Sequence, residues 1–171
     1  MSSPGLRGVT RKMGRLEVTV SVEDHQSHLQ LVGYLDGSAD LRELIGLVRG
    51  RVPIDLEGVT FVNSLGIRSW TRFLRQLKSD GVTVILQRCS EAMVMQLNMI
   101  RDARATVESF FCPYACGRCG LRVPLCVEVE PNRAGLGKGA APEAPCPTCH
   151  SPMTFDEMPE RYLVFLLDPP S

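Results

Sequence analysis

The stretch VPIDLEGVTFVNSLGIRSW, from Val52 to Trp70, decides the fold that we expect for this chain. It begins with the short apolar run Val52–Leu56, which is typical of a buried strand and which Glu57-Gly58 interrupts. Asn63 and Ser64 follow, both good helix N-caps, and then an apolar-periodic segment. The pattern predicts a strand, a turn and a helix with the Ser64 hydroxyl at its N-terminus. An anion attached there would face the positive end of the helix dipole, so we expect regulation at this position.

Upstream of this stretch, the sequence predicts a hairpin and a helix. Leu16–Glu23 alternates apolar and polar residues and is typical of a strand with one solvent-exposed face. Leu29–Leu35 continues the alternation, so the two segments should pair antiparallel. Asp40 with Glu43 fits a capping box, and the apolar spacing in Leu41–Val48 predicts a helix behind it.

Downstream, the helix that begins at Ser64 should end at Gly81. Val82–Leu86 is a continuous apolar run, as expected for a strand covered on both faces. Glu91–Ile100 predicts another helix and Thr106–Phe111 a final strand. The order of elements favours one α/β domain with a mixed sheet.

The residues Leu56 to Ile67, LEGVTFVNSLGI, also carry a family resemblance. They are similar to the pattern L-x-G-V-x-F-[MIV]-D-S-S-G-[LI] of STAS domains, the family of anti-sigma factor antagonists and sulfate transporter tails. The resemblance covers roughly Leu16 to Phe111. Asn63 stands where the family usually has Asp, and Leu65 where it usually has a small residue. In the antagonist branch the serine after the Asp is phosphorylated by a partner kinase, and by motif match that serine is Ser64.

The resemblance implies a non-enzymatic signalling module whose partner is a kinase-type anti-sigma factor. The implied binding surface is the loop and helix at Ser64, with these residues: Asn63, Ser64, Leu65, Gly66, Arg68 and Arg72. Two alternatives stay open. The domain could be a constitutive scaffold in a sensory assembly, without a phosphoswitch. The arginines of the helix, Arg68, Arg72 and Arg75, form a stripe that is typical of a solvated helix face. The more specific interpretation is that this stripe binds an acidic partner.

The cysteines give the strongest chemical signal. Six of the seven lie between Cys112 and Cys149, and two CxxC pairs stand among them: Cys116 with Cys119, and Cys146 with Cys149. Four thiolates are the ligand set of a closed, structural zinc site, so the tail resembles a zinc ribbon. The pairs are 26 residues apart, beyond the usual ~15–20, and the Pro/Gly-rich stretch 131–145, expected to be a flexible loop, accounts for the excess.

Other interpretations of the tail stay open. The paired cysteines could be free thiols in a metal-free ribbon. Cys112, Cys126 and His150 could replace a ligand. The plainer interpretation is that Cys112 ends a strand, Cys126 lies in an apolar strand and His150 merely follows a ligand. Ribbon folds often bind nucleic acid, yet this tail has few basic residues and several acids. Arg161–Leu167 is typical of a strand.

Length and composition fit this division of the chain. The 171 residues carry a formal net charge of zero and suffice for one domain with an appendage. We expect a flexible lead over residues 1–15, a STAS-like domain over 16–111 and a zinc-ribbon-like tail over 112–171. An odd cysteine count without an export signal favours a reducing compartment, so we expect a cytoplasmic protein of bacterial type that does not bind membranes. We recognise no P-loop, GxGxxG or paired catalytic carboxylates and expect no enzyme.

Overall fold

The computed structural model describes residues 8–23, 26–100 and 105–167, which form two β-sheets with helices packed on them. The strands of the first sheet are β1 (Val9–Met13), β2 (Leu16–Glu23), β3 (Gln26–Leu35), β4 (Arg51–Val62), β5 (Thr83–Gln87) and β6 (Thr106–Val107). The second sheet contains β7 (Ser109–Ala115), β8 (Arg122–Glu128), β9 (Ala144–Pro145) and β10 (Pro152–Phe155). The helices are a 3₁₀ helix (Leu41–Leu44), α1 (Ser64–Ser79), α2 (Glu91–Leu97), α3 (Val129–Leu136), α4 (Pro159–Tyr162) and α5 (Val164–Leu167).

The first sheet is mixed, as the sequence predicts. Its strands lie in chain order from β1 to β6, with β1, β2 and β3 antiparallel and each later neighbour parallel. The hairpin of β2 and β3 is confirmed, with Leu16 opposite Gly33 and Val20 opposite Leu29. The parallel connections carry the 3₁₀ helix, α1 and α2, which is the usual consequence of joining parallel strands. The α/β class with a mixed sheet is therefore confirmed.

One face of α1 supplies much of the core. Trp70, Phe73, Leu74 and Leu77 are buried, and the arginines between them are exposed. This is the amphipathic division that the 3.6-residue period predicts. The helix ends at Ser79, and Gly81 follows at φ +75°, the left-handed conformation expected of a helix stop.

Two expectations about the strands are wrong. The stretch with the interruption at Glu57-Gly58 forms one continuous strand, β4, because a register shift in its pairing with β3 accommodates one extra β4 residue between Asp55 and Gly58, and Gly58 itself pairs with Val32. The lead over residues 1–15 is not a flexible segment in its described part. Residues 9–13 form β1, which pairs along its whole length with β2, while residues 1–7 lie outside the described residues.

The helix expected over Leu41–Val48 is shorter than predicted. Only a 3₁₀ turn forms, since Ile45 already has extended backbone and Gly46 has φ +89°. The capping box is also wrong. Asp40 accepts from the backbone N–H of Arg42 and pairs with its guanidinium instead of serving a box with Glu43.

The boundary expected between residues 111 and 112 falls inside a strand. The expected strand Thr106–Phe111 is divided at Glu108 between β6 and β7, which belong to different sheets. β7 then reaches Ala115, and Phe110 forms an isolated parallel bridge with Cys89, two residues after the end of β5. A single hydrophobic core runs through both sheets, so the tail packs against the first sheet.

The tail is more regular than its composition suggests. The stretch 131–145, expected to be a flexible loop, contains most of α3, and Leu136 anchors that helix in the core. Arg161–Leu167, expected to be a strand, lies in the short helices α4 and α5, because Pro159 at the first helical position starts a helical turn there. None of the helices that the structure describes combines the length and apolar character that crossing a bilayer requires.

Candidate functional site

The N-terminus of α1 is fixed by a side-chain cap. Asn63 is the N-cap, and its Oδ1 accepts from the backbone N–H of Leu65 at 3.1 Å and of Gly66 at 2.9 Å. Ser64 is therefore the first helical residue, and its side chain is exposed. The sequence proposed both residues as caps, and the structure assigns the cap to Asn63. The Ser64 hydroxyl is thus presented to solvent at a rigid helix start.

A close backbone approach holds this helix start against the sheet. A Cβ on Gly66 would lie 1.8 Å from the carbonyl oxygen of Leu35, the last residue of β3. The same oxygen accepts from the backbone N–H of Asn63 at 3.2 Å. Only glycine fits at position 66, and this explains why the motif carries one there.

The surroundings of Ser64 are apolar and basic. Leu65 is 54% exposed and lies against Gly37 in the loop after β3. The first turn of α1 contains no acidic residue. Arg68 follows Ser64 by four residues, so the two side chains lie on the same side of the helix.

The loop opposite this helix start is held by Asp36. Its carboxylate accepts from the backbone N–H and the hydroxyl of Ser38, at 2.9 and 2.5 Å, and the Arg15 guanidinium lies 3.6 Å away. Hydrogen bonds from Ser38 and the charge of Arg15 hold the pKa of Asp36 below its ordinary value. The loop is further fastened to α1 by the Ser69 hydroxyl, which donates to the carbonyl of Ala39 at 3.1 Å.

A groove of about 740 Å³ lies between this loop and α1. One wall is formed by α1 side chains between Leu65 and Gln76, and the other by the segment Gly37–Ile45. Four arginines and one carboxylate line it, namely Arg42, Arg68, Arg72, Arg75 and Asp40. We call it the arginine groove. Of its cations, Arg42 is paired with Asp40, and no carboxylate of the described part of the chain forms an ion pair with Arg68 or Arg72.

Four cysteine thiols from the tail converge at one point. The Sγ atoms of Cys116, Cys119, Cys146 and Cys149 all lie within 4.8 Å of one another. Cys116 Sγ is 3.5 Å from Cys149 Sγ, and Cys119 Sγ is 3.6 Å from Cys146 Sγ. These distances exclude disulfides, whose sulfurs are ~2.05 Å apart. They approach the ~3.8 Å edge of a tetrahedron built with metal–sulfur bonds of ~2.3 Å, so the cluster could hold a metal ion.

The two CxxC turns have the same backbone geometry. Gly120 N–H donates to the carbonyl of Cys116, and His150 N–H to the carbonyl of Cys146, both at 2.9 Å. Both residues have a left-handed backbone conformation, with φ +75° at Gly120 and +58° at His150. His150 is thus a turn residue in the place that glycine occupies in the first turn.

Backbone hydrogen bonds favour the thiolate form at Cys116 and Cys146. The N–H groups of Cys119 and Arg118 help lower the pKa of Cys116 to about 6. Burial opposes ionisation of Cys146, but the N–H groups of Cys149 and Thr148 outweigh it and its pKa is also lowered. At Cys119 the N–H of Leu121 is outweighed by hydrogen bonds with the sulfurs of Cys116 and Cys146, and the pKa is raised to about 12. Deprotonated sulfur is the form that binds metal.

The remaining cysteines have a different environment. Burial raises the pKa of Cys112 to about 12 and that of Cys89 further, as for small core residues. Cys126 is exposed in β8, and burial of its thiol still raises its pKa. In the described part of the chain, the four-sulfur group includes none of these three cysteines and no atom of His150.

Sequence reasoning located the helix residues of the site but missed what faces them. The spacing of Arg68 and Arg72 places both on one helix face, and the structure adds Arg42 and Ile45 across the groove. No local pattern marks these two residues, because only the packing of the loop after β3 brings them there. Comparison of the chain with protein-family models, curated proteins and solved structures finds no match, so the STAS resemblance stays a prediction.

Proposed function

We propose that this protein is a non-enzymatic signalling module of the STAS type that binds a kinase-type anti-sigma factor through the N-terminus of α1. The observation that supports this most is the exposed Ser64 hydroxyl, at the start of a helix held by the Asn63 cap and by the contact of Gly66 with β3. A rigid, exposed hydroxyl suits recognition by a kinase. The proposed contact residues are Asn63, Ser64, Leu65, Arg68 and Arg72. Gly66, which the motif also suggested, is buried against β3 and positions the helix instead of contacting the partner.

The proposed switch is electrostatic. Phosphorylation of Ser64 adds ~1.5–2 negative charges at the centre of the contact surface. The helix dipole stabilises that charge, and Arg68 one turn later can pair with it, so the fold tolerates the modification. A partner surface that is acidic or apolar does not tolerate it, and the complex dissociates without unfolding of the module.

The four-cysteine cluster is proposed to hold a structural zinc ion in a ribbon-like tail. Thiolate-only sets favour zinc among the common intracellular metals, and four protein ligands leave no open position for catalysis. The N–H groups of the two CxxC turns orient the sulfurs, and the buried Cys116 and Cys146 join the cluster to the core.

Phosphate mapping and partner binding test the switch. The protein is incubated with ATP and the kinase-type anti-sigma factors of its source, and phosphate is located by mass spectrometry. We expect it at Ser64, and we expect Ser64→Asp to weaken partner binding at least tenfold. Ser79→Asp is the matched control, because Ser79 is an exposed serine at the other end of the same helix.

The result also separates the switch from a constitutive scaffold. Absence of phosphate at Ser64, together with equal partner binding by wild type, Ser64→Ala and Ser64→Asp, contradicts the switch and favours the scaffold. Salt-dependent binding of DNA or RNA by the full chain would instead favour the nucleic-acid alternative.

A further inference from the structure

The arginine groove combines an apolar floor with a cationic rim. Leu65 and Ile45 supply accessible apolar surface, whereas Phe73 is almost fully buried, and the lining includes four arginines against the single carboxylate of Asp40. Asp40 is already engaged by Arg42, so it does not neutralise the two helix arginines, Arg68 and Arg72, in the middle of the opposite wall. Long arginine side chains can cover apolar surface with their stems and keep the charge at the edge.

The length of the groove fits a short helix. It runs along α1 from Leu65 to Gln76, eleven residue steps or about 17 Å at ~1.5 Å per residue. A partner helix of about three turns matches that length.

The walls also favour a helix over an extended segment. An added strand takes its affinity from main-chain hydrogen bonds at a sheet edge, whereas this groove is walled by a helix and a loop. Helix-in-groove recognition needs apolar anchors along one stripe and matched charges beside it.

We propose that the arginine groove binds an acidic amphipathic helix of about three turns from the partner protein, with its apolar stripe on the floor and its carboxylates on Arg68 and Arg72. This inference rests on the proposed function and names the partner element that the same site recognises. Ser64 lies one turn before Arg68, at the end of the groove. Phosphate on Ser64 therefore competes with the first carboxylates of the bound helix for Arg68 and repels them.

A set of synthetic peptides tests the proposal with the full chain. The probe is a fluorescent, helix-stapled peptide of about 12 residues, with leucine along one stripe and glutamate beside it, titrated by fluorescence anisotropy. One control peptide has lysine in place of each glutamate, and the other has serine in place of each leucine. We expect saturable binding of the first peptide alone, weakening as salt increases.

Protein variants assign the binding to the groove. The double change Arg68→Glu with Arg72→Glu should weaken peptide binding at least tenfold, because it reverses both free cations of the wall. Lys78→Glu makes the same kind of change on α1 outside the groove lining and should alter binding less than twofold. Ser64→Asp should weaken binding several-fold.

Any one of five results overturns the inference. The first four are no binding of the acidic peptide up to about 1 mM, equal binding of the lysine peptide, equal binding of the serine peptide, and no effect of the double charge reversal. The fifth is displacement of the peptide by equimolar ATP, which would assign the groove to a small polyanion. If these results occur while Ser64 still accepts phosphate and still controls partner binding, the proposed function stands and only the helix assignment fails.

Discussion

Gly66 carries the closest packing between α1 and the sheet. The carbonyl oxygen of Leu35 occupies the space that any side chain at position 66 would need. Gly66→Ala should therefore lower the free energy of unfolding by more than about 2 kcal/mol, because the clash is with backbone that cannot rotate away. Urea denaturation of the two proteins measures this difference.

Gly117→Ala is the control for that change. A Cβ at Gly117 meets no atom within 4 Å, and its φ is not left-handed, so we expect a cost below about 0.5 kcal/mol. If Gly66→Ala is as stable as Gly117→Ala, the proposed rigidity of the helix start is wrong.

Asn63 gives a second test at the residue scale. Its side chain accepts two backbone N–H groups, so Asn63→Ala should cost about 1 kcal/mol of stability. Asn63→Asp keeps the acceptor and adds a charge that the helix dipole favours, so it should be neutral or stabilising by up to about 1 kcal/mol. Thermal denaturation compares the three proteins, and destabilisation by both changes alike would contradict the capping role.

At the scale of elements, the sequence was informative wherever periodicity and end signals agreed. α1 has an apolar stripe, a cap residue before it and Gly81 behind it, and the structure reproduces its extent. β2 and β3 share a period of two and were correctly paired. These local patterns indicate which face of a segment is buried, and the period of the buried residues distinguishes a helix from a strand.

The sequence did not predict the strands and helices whose formation depends on tertiary contacts. β1 is a polar strand that exists because β2 offers an edge to pair with, and no local pattern records that edge. α3 lies in a Pro- and Gly-rich stretch, where Val129 and Leu136 are held by the core that both sheets share. The convergence of the four cysteines was predicted because CxxC spacing is itself the local signal, whereas the second wall of the arginine groove has none.

The two CxxC turns predict how the tail responds to loss of metal. Cys119→Ser removes an exposed thiol from the cluster and should lower the affinity for the proposed zinc ion by more than about 100-fold, because it removes a ligand atom and not merely a group that orients one. Acidification acts in the same direction, because protons compete with metal for the lowered-pKa thiolates of Cys116 and Cys146. Elemental analysis and a competing chelator measure metal content and affinity.

Cys126→Ser is the matched control for the metal prediction. Cys126 is also exposed, but it lies in β8 outside the cluster and should retain one metal per chain. Hydrogen exchange should show faster amides at Gly120 and His150 in Cys119→Ser, since their N–H groups close the two turns. Equal metal content in both variants would contradict the assignment.

For the whole molecule, the shared core predicts one unfolding transition. Phe110 joins the sheets by pairing with Cys89, and the Tyr162 hydroxyl donates to the carbonyl of Phe111 at 2.7 Å. Asn98, at the end of α2, donates to the carbonyls of Arg161 and Tyr162 and so fastens the tail helices. Calorimetry of the metal-loaded chain should give equal calorimetric and van't Hoff enthalpies. Two separate transitions would instead favour the division that the sequence predicted, a domain that ends at residue 111 and an appended tail.

The strand order limits how the molecule meets its neighbours. In the described ranges, the first sheet ends at β1, where Arg11 and Lys12 are exposed, and at β6, which has only two residues. The second sheet ends at β8, which contains Pro124, and at the two-residue β9. Charge, proline and shortness all discourage edge-to-edge growth into fibres. The protein should therefore stay dispersed when concentrated, and association with other chains is left to its side-chain surfaces.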